Sequence, residues 1–251
     1  ENITISVTNL AKNYDQILAL VEEMLLEPRW EATEFELLKK SVVGNLRQQK
    51  ASPTTIANNV YNELIYGKEN IRSKNILGTI ESVGNITLDD LKLFYTNYIS
   101  PSVAKIHVVG DIDKEKVITS LSNLESKWAS KEVNIPVYKT PEAPNKPTVY
   151  FYDVPNAKQS VINFGAPALA ATDADFYPAT VMNYILGGAF NSRINLNLRE
   201  DKGYTYGARS GFNGSKLPGP FTASASVRTD TTADSIVQFV NEISNYRDNG
   251  I

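Results

Sequence analysis

The sequence predicts a mixed fold of amphipathic helices and short strands, laid out as two segments joined by a proline-rich linker. Three observations carry this. Helical spacing of apolar residues and strand-like alternation both recur along the chain. Residues 133–148 (VNIPVYKTPEAPNKPT) hold four prolines, which remove backbone donors and favour extended chain. A weak internal repeat also relates the two ends. Ser6-Val7 matches Ser226-Val227 at an offset of 220, and Asp15, Ile17, Val21 and Glu23 match Asp234, Ile236, Val240 and Glu242 at an offset of 219. Each match is a strand leading into an amphipathic helix, so one repeat unit spans about 220 residues.

Residues 2–8 alternate and are β-branched, which predicts a strand. Ile17, Leu18, Leu20, Val21, Met24 and Leu25 predict a helix over 14–26, stopped by Pro28. Thr33-x-x-Glu36 reads as a capping box opening a helix to about Gln49. Pro53 starts another, to Tyr66, with Ile56, Val60 and Leu64 on one face. Residues 67–84 read as loop with a short helical piece. Thr87-x-x-Asp90 caps a helix closed by Pro101. A strand over 103–109 and a helix ending near Trp128 follow. Beyond the linker the pattern predicts strands Val149–Asp153 and Gln159–Ala166, then helices Asp173–Leu186 and Ser192–Arg199. Strands Tyr204–Phe212 and Phe221–Val227 and the helix Ala233–Arg247 complete it. The domain reading is 1–132, linker 133–148, and 149–251.

Composition narrows the function. The 251 residues carry a net charge of −3, which argues against a nucleic-acid binder. No apolar run approaches the ~18 residues of a membrane span. There are no cysteines, so disulfides and thiolate chemistry are excluded. The single histidine, His107, sits in the apolar run Val103–Gly110 and reads as a strand residue without chemistry. One imidazole cannot supply a usual catalytic zinc site. No phosphate-binding loop, dinucleotide fingerprint or nucleophile elbow is present. Asp89/Asp90 and Glu22/Glu23 are adjacent on helices and point to different sides, as solvated faces do. Cysteine absence and a chain rich in Tyr and Asn fit an exported protein, placed in a bacterial periplasm or cell envelope. Glu1 in place of an initiator Met, and an end just past a helix, read as a piece of a longer protein.

The most specific stretch runs from Ile185 to Gly207: Leu186-Gly187-Gly188, then Ser192-Arg193-Ile194, then Leu198-Arg199-Glu200, then Gly203-Tyr204-Thr205-Tyr206. It reads as a helix, a Gly-Gly break, a second helix and a strand. Arg199 falls in a last helical turn, where a cation suits the helix dipole, and Tyr206 falls just inside the strand. A guanidinium and a phenol on one side of that junction make a donor pair suited to a carbonyl oxygen or a developing oxyanion. The bland alternatives are a C-terminal capping arginine and a packed aromatic.

This stretch resembles the insulinase/pitrilysin/mitochondrial processing peptidase family of zinc peptidases, the inverzincins. Ile86–Leu91, Phe94-Tyr95 and Val108–Asp111 resemble the end of one family repeat, and Gln159–Val161 with Phe164-Gly165 the first core strand of the next. The resemblance implies an α+β fold, with tandem repeats of a twisted mixed or antiparallel sheet covered on one face by helices. It implies a zinc site on one repeat, from an H-x-x-E-H helix and a distant Glu. It also implies an Arg and a Tyr on another repeat that hold the substrate backbone and stabilise the tetrahedral intermediate, roles that fall here on Arg199 and Tyr206.

The departures matter equally. The chain has no H-x-x-E-H, and the helix predicted over 173–186 takes the equivalent place without histidine. The distant metal Glu maps to Asn45, a neutral and weak zinc ligand, while Glu34 and Glu36 fit capping. The expectation is therefore a non-catalytic repeat or subunit of a zinc-dependent metalloendopeptidase, holding no cofactor itself. Zinc would sit in a catalytic repeat or partner subunit, with a peptide as substrate and a dimer or larger assembly as context. The alternative is a catalytically inactive structural or binding homologue that keeps only the fold.

Overall fold

A computed structural model describes residues 3–140, 142 and 146–250. In chain order the helices before the linker are α1 (Tyr14–Leu26), α2 (Ala32–Lys50), α3 (Pro53–Tyr66), α4 (Ile80–Asn85), α5 (Leu88–Tyr98) and α6 (Lys114–Lys127). After it come β1 (Gln159–Pro167), α7 (Phe176–Asn183), α8 (Arg193–Asn195), β2 (Thr205–Phe212), β3 (Pro220–Arg228) and α9 (Thr232–Asn249). Helices α7 and α8 each run on into a wide π turn, Tyr184–Gly188 and Leu196–Asp201. The chain forms helices plus a small antiparallel sheet, in keeping with the α+β expectation.

Local chemistry explains the helix ends. Ser52 caps α3 through Thr55 N at 3.3 Å, with Pro53 in the first turn. Thr87 and Asp90 close a reciprocal capping box at 2.8 and 3.2 Å. Asp113 caps α6 through Glu115 N and Lys116 N. The capping box expected at Thr33 does not form. Helix α2 opens two residues earlier, with Phe35 N bonded to Glu31 O at 3.0 Å, so Thr33 lies inside the first turn.

The chain divides into two compact units. One comprises Glu1–Val42 and Glu81–Pro136, the other Val43–Ile80 and Val137–Ile251. In the first, α1 and α6 are tied by Tyr14 Oη to Ser120 Oγ at 3.0 Å and by the pairs Lys116–Asp15 and Lys127–Glu22. Trp30 packs edge-on against Tyr95.

The second unit holds the sheet, in the order β1-β3-β2. Strand β1 pairs β3 from Gln159↔Arg228 to Pro167↔Pro220, and β2 pairs β3 from Thr205↔Val227 to Phe212↔Phe221. One face carries the core: Ile162 from β1, Ala208 from β2, Ala223, Ala225 and Val227 from β3, covered by Leu186, Ile194, Leu198, Phe239 and Tyr246. Alternation sends every second residue of each strand to that face. On the opposite face Asn163 of β1 donates to Asn58 of α3, and Tyr61 of α3 reaches Thr222 Oγ1 at 2.7 Å.

Three predicted strands do not form. Residues 3–8 (residue 2 lies outside the described residues), 104–109 and 149–153 are irregular, and residues 101–103 make a short 3₁₀ turn. A strand exists only where a neighbour supplies its donors and acceptors. Among the described residues none of the three has a ladder partner. Their apolar side chains remain exposed, Val109 by 98% and Phe151 by 85%. His107 accordingly sits exposed on irregular backbone rather than in a strand. Of the linker expected over 133–148, residues 133–140, 142 and 146–148 lie outside helices and strands. Residues 141 and 143–145 lie outside the described residues.

Candidate functional site

The helix–turn–strand stretch from α7 to β2 is built on glycine contacts and a buried amide pair. A Cβ on Gly187 would overlap Ser210 Oγ and come within 2.6 Å of Ser210 N, so glycine lets the π turn after α7 lie directly on β2. Beside it Asn183 Nδ2 donates to Ser210 O at 2.8 Å, and Ser210 Oγ donates to Asn183 Oδ1 at 2.5 Å. The helices predicted over 173–186 and 192–199 are thus shorter, and each widens into a π turn as it meets the sheet. Wide turns of this kind are frequent at functional sites.

Ile194 and Leu198 are buried and fix the second segment on the core. Arg199 follows Leu198 directly. Its guanidinium Cζ lies 4.4 Å from the centre of the Phe190 ring, and its Nε is 3.4 Å from Glu200 Oε1. The side chain is 33% exposed, and stacking on an aromatic face holds the cation at the surface. The segment then ends cleanly. Gly203 takes φ +64°, its N–H bonds Arg199 O at 3.2 Å, and Tyr204 N–H bonds Leu198 O at 2.9 Å, a glycine cap like the Schellman motif but with each bond one residue longer, as the π turn requires.

Tyr206 sits on a β-bulge. The register slips between Thr205 and Ala208, so Tyr206 and Gly207 together face the single Ser226 of β3. Thr205 Oγ1 fills the bulge, donating to Ser226 O at 2.7 Å and accepting from Gly207 N at 3.1 Å. The extra residue throws Tyr206 outward with 93% of its surface exposed, so it is not a packed aromatic. Below it, the buried Asn195 accepts from Ala208 N at 3.0 Å and donates to Phe190 O at 2.5 Å. Arg199 and Tyr206 therefore stand on successive elements that share this amide. Sequence reasoning missed Asn195, Phe190 and Thr205; the one visible signal was a polar residue at 195 between apolar Ile194 and Leu196.

A polar ladder runs along α9. Tyr204 Oη donates to Asp234 at 2.7 Å, Gln238 donates to Asp234, and Asn197 and Arg193 both donate to Glu242, at 2.8 and 3.1 Å. These hydrogen bonds hold the Asp234 carboxyl below its ordinary pKa, Tyr204 contributing most, while Asp234 pushes the Tyr204 phenol up. Asp234, Gln238 and Glu242 recur every four residues, the spacing of one helix face.

The residues do not fit a zinc ion. Asn45 lines an open cleft of about 300 Å³ with Gln48, Gln49, Ser52, Thr55 and Leu77. These are amides, hydroxyls and one apolar group, with no carboxylate or imidazole. Among the described residues no group of three or more His, Asp or Glu stands close enough to hold a metal ion. No helix of the described residues is long and apolar enough to cross a membrane.

Fold and motif define a processing-peptidase-like module that carries the Arg/Tyr stretch and no metal-ligand set among its described residues. A family model described as the Peptidase M16 inactive domain matches residues 85–251, and the chain belongs to that family. The non-peptidase homolog YmxG of Helicobacter pylori is 24% identical over 219 residues, which is 86% of this chain and 50% of that protein. A Streptomyces coelicolor protein described as an uncharacterized zinc protease is 21% identical over 236 residues, 92% of this chain and 51% of that protein. The crystal structure of a peptidase M16 inactive domain from Pseudomonas fluorescens has the same fold, with a TM-score of 0.87 at 23% identity. That match covers 96% of this chain and 58% of the other. The chain spans about half the length of the curated relatives it matches.

Proposed function

We propose that this chain is a non-catalytic member of the M16 family that keeps the fold for structural and polypeptide-binding purposes and holds no zinc of its own. The amide-lined cleft around Asn45 carries this reading, because the position that resemblance assigns to a metal carboxylate is surrounded by neutral groups. The relative named a non-peptidase homolog supports the same direction. The test is to purify the chain, measure bound zinc by mass spectrometry, and follow a quenched fluorescent peptide with and without added zinc. The expected result is substoichiometric metal and no turnover. Stoichiometric zinc with chelator-sensitive cleavage overturns the reading.

A second reading is favoured by one observation, the outward phenol of Tyr206 on a bulge that the same buried amide ties to the loop carrying the Arg199 platform. In it, Arg199 and Tyr206 donate hydrogen bonds to a substrate peptide carbonyl held at a zinc site on another repeat or subunit. Removing a transition-state donor costs roughly 10–1,000-fold in rate. Arg199→Ala and Tyr206→Phe should each lower cleavage by that much when the chain is combined with a zinc-bearing relative. Equal rates for both variants and the parent chain defeat this second reading.

A further inference from the structure

We infer that Asn195 is a positioning residue that holds the platform of Arg199 and the bulge of Tyr206 in one fixed relation. The importance of that relation rests on the second reading above; the relation itself does not. Asn195 is 4% exposed, and its two side-chain atoms point to different elements. Nδ2 donates to the carbonyl of Phe190, whose ring carries the Arg199 guanidinium at 4.4 Å. Oδ1 accepts from Ala208 N, the residue that closes the Tyr206 bulge. A Cβ on Gly207 would lie 3.9 Å from that same Oδ1, so the amide sits directly beneath the bulge.

Both bonds are to backbone groups; the one to Ala208 is buried and the one to Phe190 partly so. Phe190 lies in the loop between the two π turns, and the Asn195 bond ties its carbonyl to the second of the two helical segments. Ala208 is the first residue of β2 back in register after the slip, and its N–H goes to Asn195 rather than to β3. An unsatisfied buried donor is costly, which fixes the amide on Ala208 N, and its other end then holds Phe190 O. An amide suits this task, because one end donates while the other accepts. Thr205 holds the bulge from the β3 side through Ser226 O, and Asn195 holds it from the helix side. The bulge is therefore pinned at both ends, and Tyr206 between them projects from a rigid support, as a preorganised donor must.

The test uses the whole chain labelled with 3-fluorotyrosine, the Tyr206 fluorine line being assigned by its loss in Tyr206→Phe. Three readouts are followed by NMR: that line, hydrogen exchange at Ala208 N–H, and the ring-current shift of Arg199 Nε–H over Phe190. Asn195→Leu removes both bonds, and Asn195→Asp keeps the acceptor for Ala208 while setting an oxygen against Phe190 O. Asn183→Leu is the control, since Asn183 is a comparably buried amide bonded to the same strand at Ser210.

Asn195→Leu should move or broaden the Tyr206 line, speed Ala208 exchange about tenfold as loss of one hydrogen bond does, and shift Arg199 Nε–H. Asn195→Asp should restore Ala208 protection but not the Arg199 shift. Asn183→Leu should lower thermal stability and leave the Tyr206 line in place. The inference is overturned if the Tyr206 line and Ala208 exchange in Asn195→Leu match the parent chain, or if Asn183→Leu moves them equally. If Asn195→Leu does not fold, Asn195→Asp decides: protection of Ala208 lost there, or an unshifted Arg199, overturns it. If these signals move as stated while Arg199→Ala and Tyr206→Phe leave cleavage unchanged, the positioning stands and the second functional reading alone falls.

Discussion

The Tyr61 hydroxyl lies directly over Gly165, so that a Cβ added to Gly165 would overlap it, and from there it hydrogen-bonds Thr222 Oγ1 at 2.7 Å. A helix far away in sequence is thereby keyed to β1 and β3 of the sheet. Burial pushes the Tyr61 phenol pKa up, with the Thr222 bond acting in the opposite sense.

Gly165→Ala should destabilise the chain by about 1–3 kcal/mol, the usual cost of overpacking. The same change made together with Tyr61→Ala should cost less than it does alone, because the ring it collides with is gone. Thermal melts of the two single variants and the double variant measure this coupling. Additive losses would show that the two residues do not meet.

Gly187→Ala should be as harmful for a different reason. Here the added methyl meets both the side chain and the backbone nitrogen of Ser210, so Ser210→Ala relieves only part of the clash. The expected result is a loss of about 1–3 kcal/mol, little recovered in Gly187→Ala/Ser210→Ala. Denaturant titrations of the two variants provide the comparison.

Asp234 makes stability depend on acid. Its pKa is lowered in the folded chain, so its contribution is fully present above the unfolded value of about 3.9. That contribution is lost as pH falls through the lower folded value. Tyr204 is raised by the same bond, so its share is present below about 10 and lost as pH rises through the folded value. Asp234→Asn should therefore lower stability near neutral pH, and the gap to the parent chain should close as pH falls through the lowered folded value, a difference that urea melts across the acid range would register. A gap of constant size down to pH 2 would be the contrary result.

The exposed run Val149, Tyr150, Phe151 and Tyr152 combines high β-propensity with unpaired backbone, the pattern that recruits another strand. The chain should self-associate with rising concentration, and Phe151→Asp should weaken this without changing thermal stability. Sedimentation velocity over a tenfold concentration range reports it. Equal association by the parent and the variant would remove this run as the cause.

Much of the local structure was legible in advance. The boundaries of α1 and α3 follow directly from apolar spacing, Pro28 and Pro53, and the Thr87 capping box from its two end residues. The hairpin strands β2 and β3 follow from their alternation. No strand forms over residues 3–8, 104–109 or 149–153, for one reason. Their composition favours extended chain, but a ladder needs a neighbour, and no local pattern says whether one is present. The wide turns after α7 and α8 were also hidden, because they arise where helix backbone meets the sheet at Gly187 and Asn195.

The sequence by itself determined where most helices lie and the family resemblance that singles out Arg199 and Tyr206, since periodicity, caps and motif spacing act over a few residues. It also determined that one histidine and no cysteine cannot make the usual imidazole or thiolate zinc site. Tertiary structure alone decided that Tyr206 stands outward on a bulge, that Asn195 reaches both Phe190 O and Ala208 N, and that Tyr61 seats on Gly165. Those relations join positions from five to about a hundred residues apart through buried hydrogen bonds and excluded volume, which exist only once the chain has closed on itself.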